Sequence, residues 1–366
     1  MKILHRYVLG EILKTFLVIE AGIVAFIMIS TVIDEMGTLM RYNPPWGVIS
    51  NYFIFKMPFF AAEAMPFAML LSILYVFSQL NRYNELTAMK SAGIDFNQIA
   101  GPVLWLSLIL SVTAFITNET LTSYTSERAN YIKENIIEKK SSASGESRHN
   151  LAKLGTEGRV FYIKYFDSLL GIMKEICILK LDKDFNILER LDAKEGTWQK
   201  DKWILKDGAF RTYKDNLETS VSTFKTRDLF INETPDAFIV KRRSPEDTLT
   251  INIFTLMKHI NILKQSGFKY QEEEVNFHLK FAFPFATFIL SLLGISIPFM
   301  FSTTRSLLNA ALGFVATVVI SFFYMGFVTI GLSLGKISTV PPFFAAWLAN
   351  FIFAALGFWA LSRVKK

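Results

Sequence analysis

Apolar positions along this chain gather into six long runs, near residues 12–33, 57–80, 99–119, 277–301, 307–333 and 340–361. A helix needs roughly 17–25 apolar residues to cross about 30 Å of hydrocarbon, so each run predicts a transmembrane helix. The first run is too long for a cleavable leader, and "STVIDEMG" behind it holds no small-x-small cleavage site. It is expected to remain as a helix.

Between the third and fourth runs the pattern changes. "RVFYIKYF" (159–166) is dense in aromatic and β-branched residues, and in "EICILKLD" (175–182) one face reads Cys177, Leu179, Leu181. "TWQKDKWILKDGAFRTY" (197–213) repeats strand and turn, with Asp-Lys and Asp-Gly breaks. Short, closely spaced strands of this kind predict a sandwich, barrel or jelly-roll-like sheet. Its expected inward, lipid-lining face is drawn from Val160, Tyr162, Cys177, Leu179, Leu181 and Trp203. Helical spacing returns in "TINIFTLMKHINILKQSG" (250–267), with Ile253, Leu256, Ile260 and Leu263 on one face and Gly267 as a stop.

The fold class expected from this order is an α-helical membrane protein with six transmembrane helices and an extracytoplasmic, all-β, jelly-roll-like domain inserted between the third and fourth. The boundaries read as residues 1–120, with a cytoplasmic helix near 84–93, then 121–275, with a connecting helix near 250–266, and 276–366.

Composition agrees with a membrane class: 51% apolar residues, 35 Phe and a mean hydropathy of +0.33. Of the net charge of +7, the segment 121–275 carries +2 from 26 basic and 24 acidic residues, as a water-facing domain would. The short loops fix an orientation. One side collects Lys2, Arg6, Lys14, Arg82, Lys90, Arg305, Arg363, Lys365 and Lys366; the other has Arg41, Lys56 and Lys336. By the positive-inside rule both termini and the loop 81–98 are cytoplasmic, and the large domain lies on the far side. The basic balance reflects topology and not nucleic-acid binding. A single cysteine, Cys177, excludes an intramolecular disulfide.

Chemistry is sparse. His5, His149, His259 and His278 are scattered and no Cys/His set has zinc spacing, so no catalytic or metal site is expected. "GLSLGKIS" (331–338) has too few residues between its glycines for a phosphate-binding loop, and Ile337 stands where Ser or Thr is required. Glu20, Lys56, Glu63 and Glu119 lie in or near spans, where ionisable groups are costly and face a bundle interior or wet cavity. Snorkelling at span ends is the plainer reading for Lys56 and Glu119. Pro58, Pro66, Pro284 and Pro298 suit kinked helices around a cavity.

"NRYNELTAMKSAGIDFNQ" (81–98) is a polar, helix-like stretch between two apolar runs. Leu86, Met89 and Ala92 or Gly93 recur at helical spacing as a short ridge, flanked by Glu85 and Lys90. Ala88, Ser91, Ala92 and Gly93 are small enough for another backbone to approach. A surface-lying amphipathic helix is the alternative.

The layout, with "RYNELTAMKSAGI", "HLKFAFPFATFILSLLGISIPF" (278–299) and "PPFFAAWLANFIF" (341–353), resembles the LptF/LptG permease family of lipopolysaccharide export along the whole chain. "TVIDEM" near the end of the first run is more similar to the G type than to the F type. The resemblance implies an inner-membrane transport subunit, not an enzyme, paired with a homologous six-span permease subunit and with an LptB ATPase dimer that binds ATP and Mg. It implies extraction of lipopolysaccharide and its passage through β-jelly-roll domains to LptC and LptA. It places ATPase coupling on Asn84, Glu85, Leu86, Met89, Ala92 and Gly93. The basic residues that the family presents to lipid A phosphates near the end of the first span are replaced here by Thr31, Asp34 and Glu35, with Arg41 or Lys56 as substitutes. Two other classes remain: an ion-coupled secondary transporter using Glu20 or Glu63, and a membrane-anchored assembly factor acting through its β domain.

The orientation is testable by cysteine labelling in a Cys177→Ser background. Asn216→Cys should react with a membrane-impermeant thiol reagent applied outside the inner membrane, and Asn84→Cys should not. The reverse pattern refutes the architecture.

Overall fold

In the computed structural model of the chain, the described residues are 2–138, 147–155, 158–167, 170–182, 186–199, 201–214, 217–231, 233–238, 250–265, 269–300 and 306–364. Asn216, Gly267, Arg305, Lys365 and Lys366 lie outside them. The chain divides into two compact units, Met1–Ile137 with Pro245–Met257 and Gln271–Lys366, and Glu138–Ser244 with Lys258–Tyr270.

The first unit is helical: α1 (Lys2–Tyr42), α2 (Trp46–Arg82), α3 (Glu85–Ser91), α4 (Phe96–Thr117) and α5 (Ser123–Tyr131), then α7 (Gln271–Met300), α8 (Ser306–Lys336) and α9 (Pro342–Arg363). Six of these helical stretches are long and apolar enough to cross a membrane, as the runs predicted. The third does not stop at the expected 119. A π turn at Asn118–Thr122 joins α4 to α5 and a second, Ile132–Ile137, extends α5, giving one stretch from Phe96 to Ile137. Thr122, Thr125, Ser126, Ala129 and Ile132 are buried along it at spacings of three and four, so "LTSYTSERANYIKENII" has an inner face that a simple hydropathy run does not reveal. Pro58 and Pro66 lie inside α2, and Pro284 and Pro298 inside α7.

Spans α2 and α7 are the most buried and α1 and α8 the least. One core joins Ile12 and Phe16 of α1 to Phe77 of α2, Val103 of α4 and Ile295 of α7; a second joins Leu70 and Leu74 of α2 to Leu290 of α7, Tyr324 of α8 and Phe353 of α9. Hydrocarbon offers no partners to polar groups, so those inside the bundle satisfy one another. Tyr324 donates its hydroxyl hydrogen to Asn350 Oδ1 at 2.9 Å, and Asn350 Nδ2 donates to the Ala282 carbonyl at 2.7 Å, pinning α7, α8 and α9 in register. Gly331 lets α8 meet α9 backbone to backbone, since a Cβ there would lie 2.2 Å from the Ala345 carbonyl oxygen.

The second unit contains a six-stranded antiparallel sheet in chain order: β1 (Ser147–Leu154), β2 (Arg159–Asp167), β3 (Ile172–Leu181), β4 (Ile187–Gln199), β5 (Lys202–Lys214) and β6 (Leu217–Leu229). The all-β character and its place between the third and fourth spans agree with the sequence pattern. Helix α6 (Ile253–Gln265) buries Leu256, Ile260 and Leu263, as its spacing predicted.

Two details differ. Asp207–Gly208 is not a break: β5 runs through it, with Asp207 at φ 51°. The packed face is also the reverse of the expected one. Phe161, Ile163, Ile176, Ile178, Leu191 and Ala193 are buried, whereas Tyr162 is exposed and Cys177, Leu179 and Leu181 are half-buried on the other side. Both alternating sets in β3 are apolar, so alternation alone does not choose; the bulk of Phe161, Ile163 and Ile178 does. Val160 pairs with Leu179 and Tyr162 with Cys177, so these four share the outer face, while Trp203 alone of the expected set is fully buried in the core.

The sheet is curled. Strands three apart on a flat sheet lie about 14 Å from each other, at about 4.8 Å per step. Yet the rings of Phe166 on β2 and Trp203 on β5 are 6.5 Å apart. A crease also crosses the sheet. In β3, β4 and β5 two successive exposed residues interrupt the alternation at the same level, Lys174–Glu175, Lys194–Glu195 and Lys206–Asp207, and in β2 Lys164 and the half-buried Tyr165 do so. Buried positions change from odd to even numbers, or the reverse, across that line. Glu175 at φ 50° and Asp207 at φ 51° sit on it.

Replacing Asn350 by Ala removes both hydrogen bonds of the buried network and should lower unfolding stability in detergent by about 1–3 kcal/mol, at about 0.6–1.7 kcal/mol for each such bond in membranes. Thermal denaturation measures it, and an unchanged midpoint would show the network to be dispensable.

Candidate functional site

Helix α3 is held between two left-handed residues, Asn84 at φ 58° before it and Gly93 at φ 78° after it. Asn tolerates that conformation through its short polar side chain, and at Gly93 a Cβ would be strained. The helix closes with a Schellman pair: Ile94 N–H donates to the Met89 carbonyl at 3.1 Å and Gly93 N–H to that of Lys90 at 3.0 Å.

The Leu86 and Met89 ridge faces inward. Both are buried in the core formed by Val8, Ile12, Phe77 and Phe96. Glu85 is hydrogen-bonded to the Tyr7 hydroxyl of α1, and the Lys90 ammonium stands 5.1 Å from the centre of the Phe299 ring, which packs on Phe77 and Phe96. Besides Lys90, the exposed residues are Asn84, Thr87, Ala88, Ser91, Ala92 and Gly93, mostly small side chains on a helix tied to α1, α2 and α7. Of the residues expected to couple, the structure divides an anchoring set, Glu85, Leu86 and Met89, from an outward set, Asn84, Ala92 and Gly93.

A second cluster gathers on Glu35 of α1. Its Oε1 accepts from Tyr52 Oη at 2.7 Å, from Lys133 Nζ at 2.9 Å and from Lys56 Nζ at 3.3 Å, and Lys56 also lies 5.0 Å from the centre of the Tyr52 ring. Thr31 donates to the Ile27 carbonyl of its own helix, and Asp34 and Arg41 are exposed. Glu35 and Lys56 are thus brought together and Thr31, Asp34 and Arg41 are not part of that cluster. One carboxylate between two ammonium groups leaves a net positive site. Lys133, carried by the second π turn, is singled out by no sequence pattern, because its stretch reads as water-facing.

The first π turn carries Glu119. Its Oε1 is ion-paired with Lys280 of α7, almost wholly buried, and its Oε2 accepts the Ile253 backbone N–H at the start of α6, at 2.8 Å. The snorkelling expected for Glu119 is replaced by this interior pair. A lone Lys in "HLKFAF" was the available signal, since a cation within an apolar run needs a partner. Each π turn therefore aims one charged side chain at a charge on another helix, which fits the association of such turns with functional positions.

Glu20 Oε2 is buried without a hydrogen-bond partner among the described residues, and Glu63 is half-buried. A cleft of about 570 Å³ opens between α1, α2 and α8, lined by Lys14, Thr15, Val18, Tyr75 and Phe314 among others. Among the described residues no three His, Cys, Asp or Glu side chains gather as metal ligands.

The family profile described as "Lipopolysaccharide export system permease LptF/LptG" matches residues 6–363. The curated protein "Lipopolysaccharide export system permease protein LptG" of Haemophilus influenzae (strain ATCC 51907 / DSM 11121 / KW20 / Rd) is 25% identical over 310 residues, 81% of this chain and 81% of that one.

Removing one member of the Glu119–Lys280 pair leaves the other charge buried and uncompensated, at a cost of about 3–5 kcal/mol. Glu119→Gln should therefore unfold at distinctly lower temperature in detergent, and the double variant Glu119→Gln with Lys280→Met should recover most of the loss. Additive losses would show that the two groups act independently.

Proposed function

The chain belongs to the LptF/LptG family of lipopolysaccharide export permeases, and from that premise we propose that it is the membrane subunit, closer to the G type, of an ATP-driven exporter that extracts lipopolysaccharide from the inner membrane and hands it to a periplasmic β-jelly-roll bridge. The family's function, together with the G-type likeness at 25% identity, supports a multi-pass permease with several membrane-spanning helices. Both termini and α3 lie in the cytoplasm and the β unit in the periplasm, as the loop charges favour. The observation that carries the coupling step is the exposed small-residue face of α3 on an anchored helix.

In this reading ATP and Mg are bound by a separate LptB dimer, which docks on Thr87, Ala88, Ser91, Ala92 and Gly93. Leu86 and Met89 transmit its movement because they are buried among residues of α1, α2 and α4. Glu85 and Lys90 act as ties, to Tyr7 and to the Phe299 ring respectively. A homologous six-span subunit covers the apolar flanks of α1 and α8, the two least buried spans. Lys56 and Lys133 supply the positive charge that meets the lipid's phosphates near the end of α1. LptC and LptA receive the lipid beyond the membrane.

The cluster on Glu35 speaks against the assembly-factor reading, because an anchor has no need of converging lysines at a span end. Glu20 and Glu63 are the carboxylates that an ion-coupled mechanism would use, and a pH gradient without ATP would then drive transport.

The detergent-solubilised chain should co-purify with a soluble ATPase and a second six-span protein. Ala88→Trp places a bulky ring on the outward face of α3 and should abolish ATPase co-purification while the chain stays folded. Glu85→Lys should weaken coupling by breaking the hydrogen bond to the exposed Tyr7 hydroxyl. ATPase binding undiminished by Ala88→Trp would leave α3 as a helix lying on the membrane surface.

A further inference from the structure

Within the β unit, the concave side of the curled sheet is filled by a residue that belongs to no strand. After β6 the chain makes a single 3₁₀ turn, Pro235–Phe238, and the Phe238 ring enters the curl with only 1% of its surface exposed. Its centre lies 5.2 Å from the Phe161 ring, 5.4 Å from Phe166 and 6.1 Å from Trp203. Trp203 Nε1 donates to the Glu233 carbonyl at 2.8 Å, which fixes where the segment crosses.

The fastening is ionic. Lys153 of edge strand β1 is 5% exposed, its ammonium 5.1 Å from the centre of the Phe238 ring, and it interacts electrostatically with Glu233, itself 3% exposed. Burial pushes the Lys153 amine below its ordinary pKa and the Glu233 charge pulls it back up. The Glu233 carboxylate rests over Gly155, where a Cβ would lie 2.7 Å from its Oε1. The contact thus ties one edge strand to the segment that follows the other. A buried ion pair stabilises less than a well-packed apolar pair of the same volume, so this is a poor way to build a permanent core. It suits a contact that has to come apart.

We propose that residues 233–238 form a removable plug: the Phe238 ring holds the place on the concave face that a lipid acyl chain would take, and the chain enters only when the segment withdraws. This rests on the lipid-export reading above and adds that the domain is closed by its own sequence at rest. Phe161, Phe166, Trp203 and Leu205 then line the vacated slot, all fully buried and apolar apart from the indole N–H, which Glu233 releases.

The test uses the full chain in lipid nanodiscs and a palmitate analogue carrying a diazirine. Phe238→Ala should raise photo-adducts on the β2 and β5 peptides several-fold over the unaltered chain, and Glu233→Gln, which weakens the tie to Lys153, should raise them less. Equal labelling of the unaltered and Phe238→Ala chains overturns the plug, as does a folded Phe238→Ala chain that takes no label. Amide exchange on the unaltered chain covers the case in which Phe238→Ala does not fold: the amides of 233–238 should exchange several-fold faster than those of Trp203–Leu205, and equal rates overturn the proposal. Failure of the unaltered nanodisc-embedded chain to bind lipopolysaccharide would overturn the export reading and the plug together, whereas normal binding with equal labelling overturns the plug alone.

Discussion

A charge that leaves water has to find its partner inside the protein, and in this chain that requirement joins segments far apart in sequence. Glu119 reaches Lys280 and the first amide of α6; Glu35 reaches Tyr52, Lys56 and Lys133. Glu119 and Lys133 each lie on one of the π turns that interrupt the stretch Phe96–Ile137. An extra residue in a helical turn rotates everything beyond it, and here it aims Glu119 and Lys133 at their partners. The polar network of Asn350 does the same for α7, α8 and α9 by hydrogen bonds instead of charge.

The same economy governs α3. A seven-residue helix has almost no stability of its own. It persists because Leu86 and Met89 sink into the bundle and because its two ends are turned by Asn84 and Gly93. Apart from Lys90, the side chains it leaves outside are small, so another backbone can approach closely.

Much of the architecture was legible from the sequence. The six spans, the β segment and the amphipathic α6 follow from periods and lengths that side-chain burial dictates. The faces of the strands were not legible, because β2 and β3 carry apolar residues on both alternating sets and only the curl decides which set is covered. The strands β1 and β6 were missed for a related reason: "SRHNLAKL" and "LETSVSTFKTRDL" are mostly polar, and they exist because neighbours pair with them. Of the candidate residues, Leu86 and Met89 could be singled out by spacing and Gly93 as a helix stop, whereas Glu85 stood out through the family resemblance. Lys133 could not, since an ordinary lysine in a charged stretch becomes notable only when a π turn swings it onto Glu35.

The crease across β2 to β5 has a consequence for how this domain can vary. Since four neighbouring strands change face at one level, each strand is two half-strands of opposite phase joined at the fold line. Deleting one residue at that level from a single strand would merge its halves into one phase. Half of its buried side chains would then face outward while its neighbours still folded inward. Length changes are consequently confined to the hairpin ends, and the fold line can shift only if all four strands shift together.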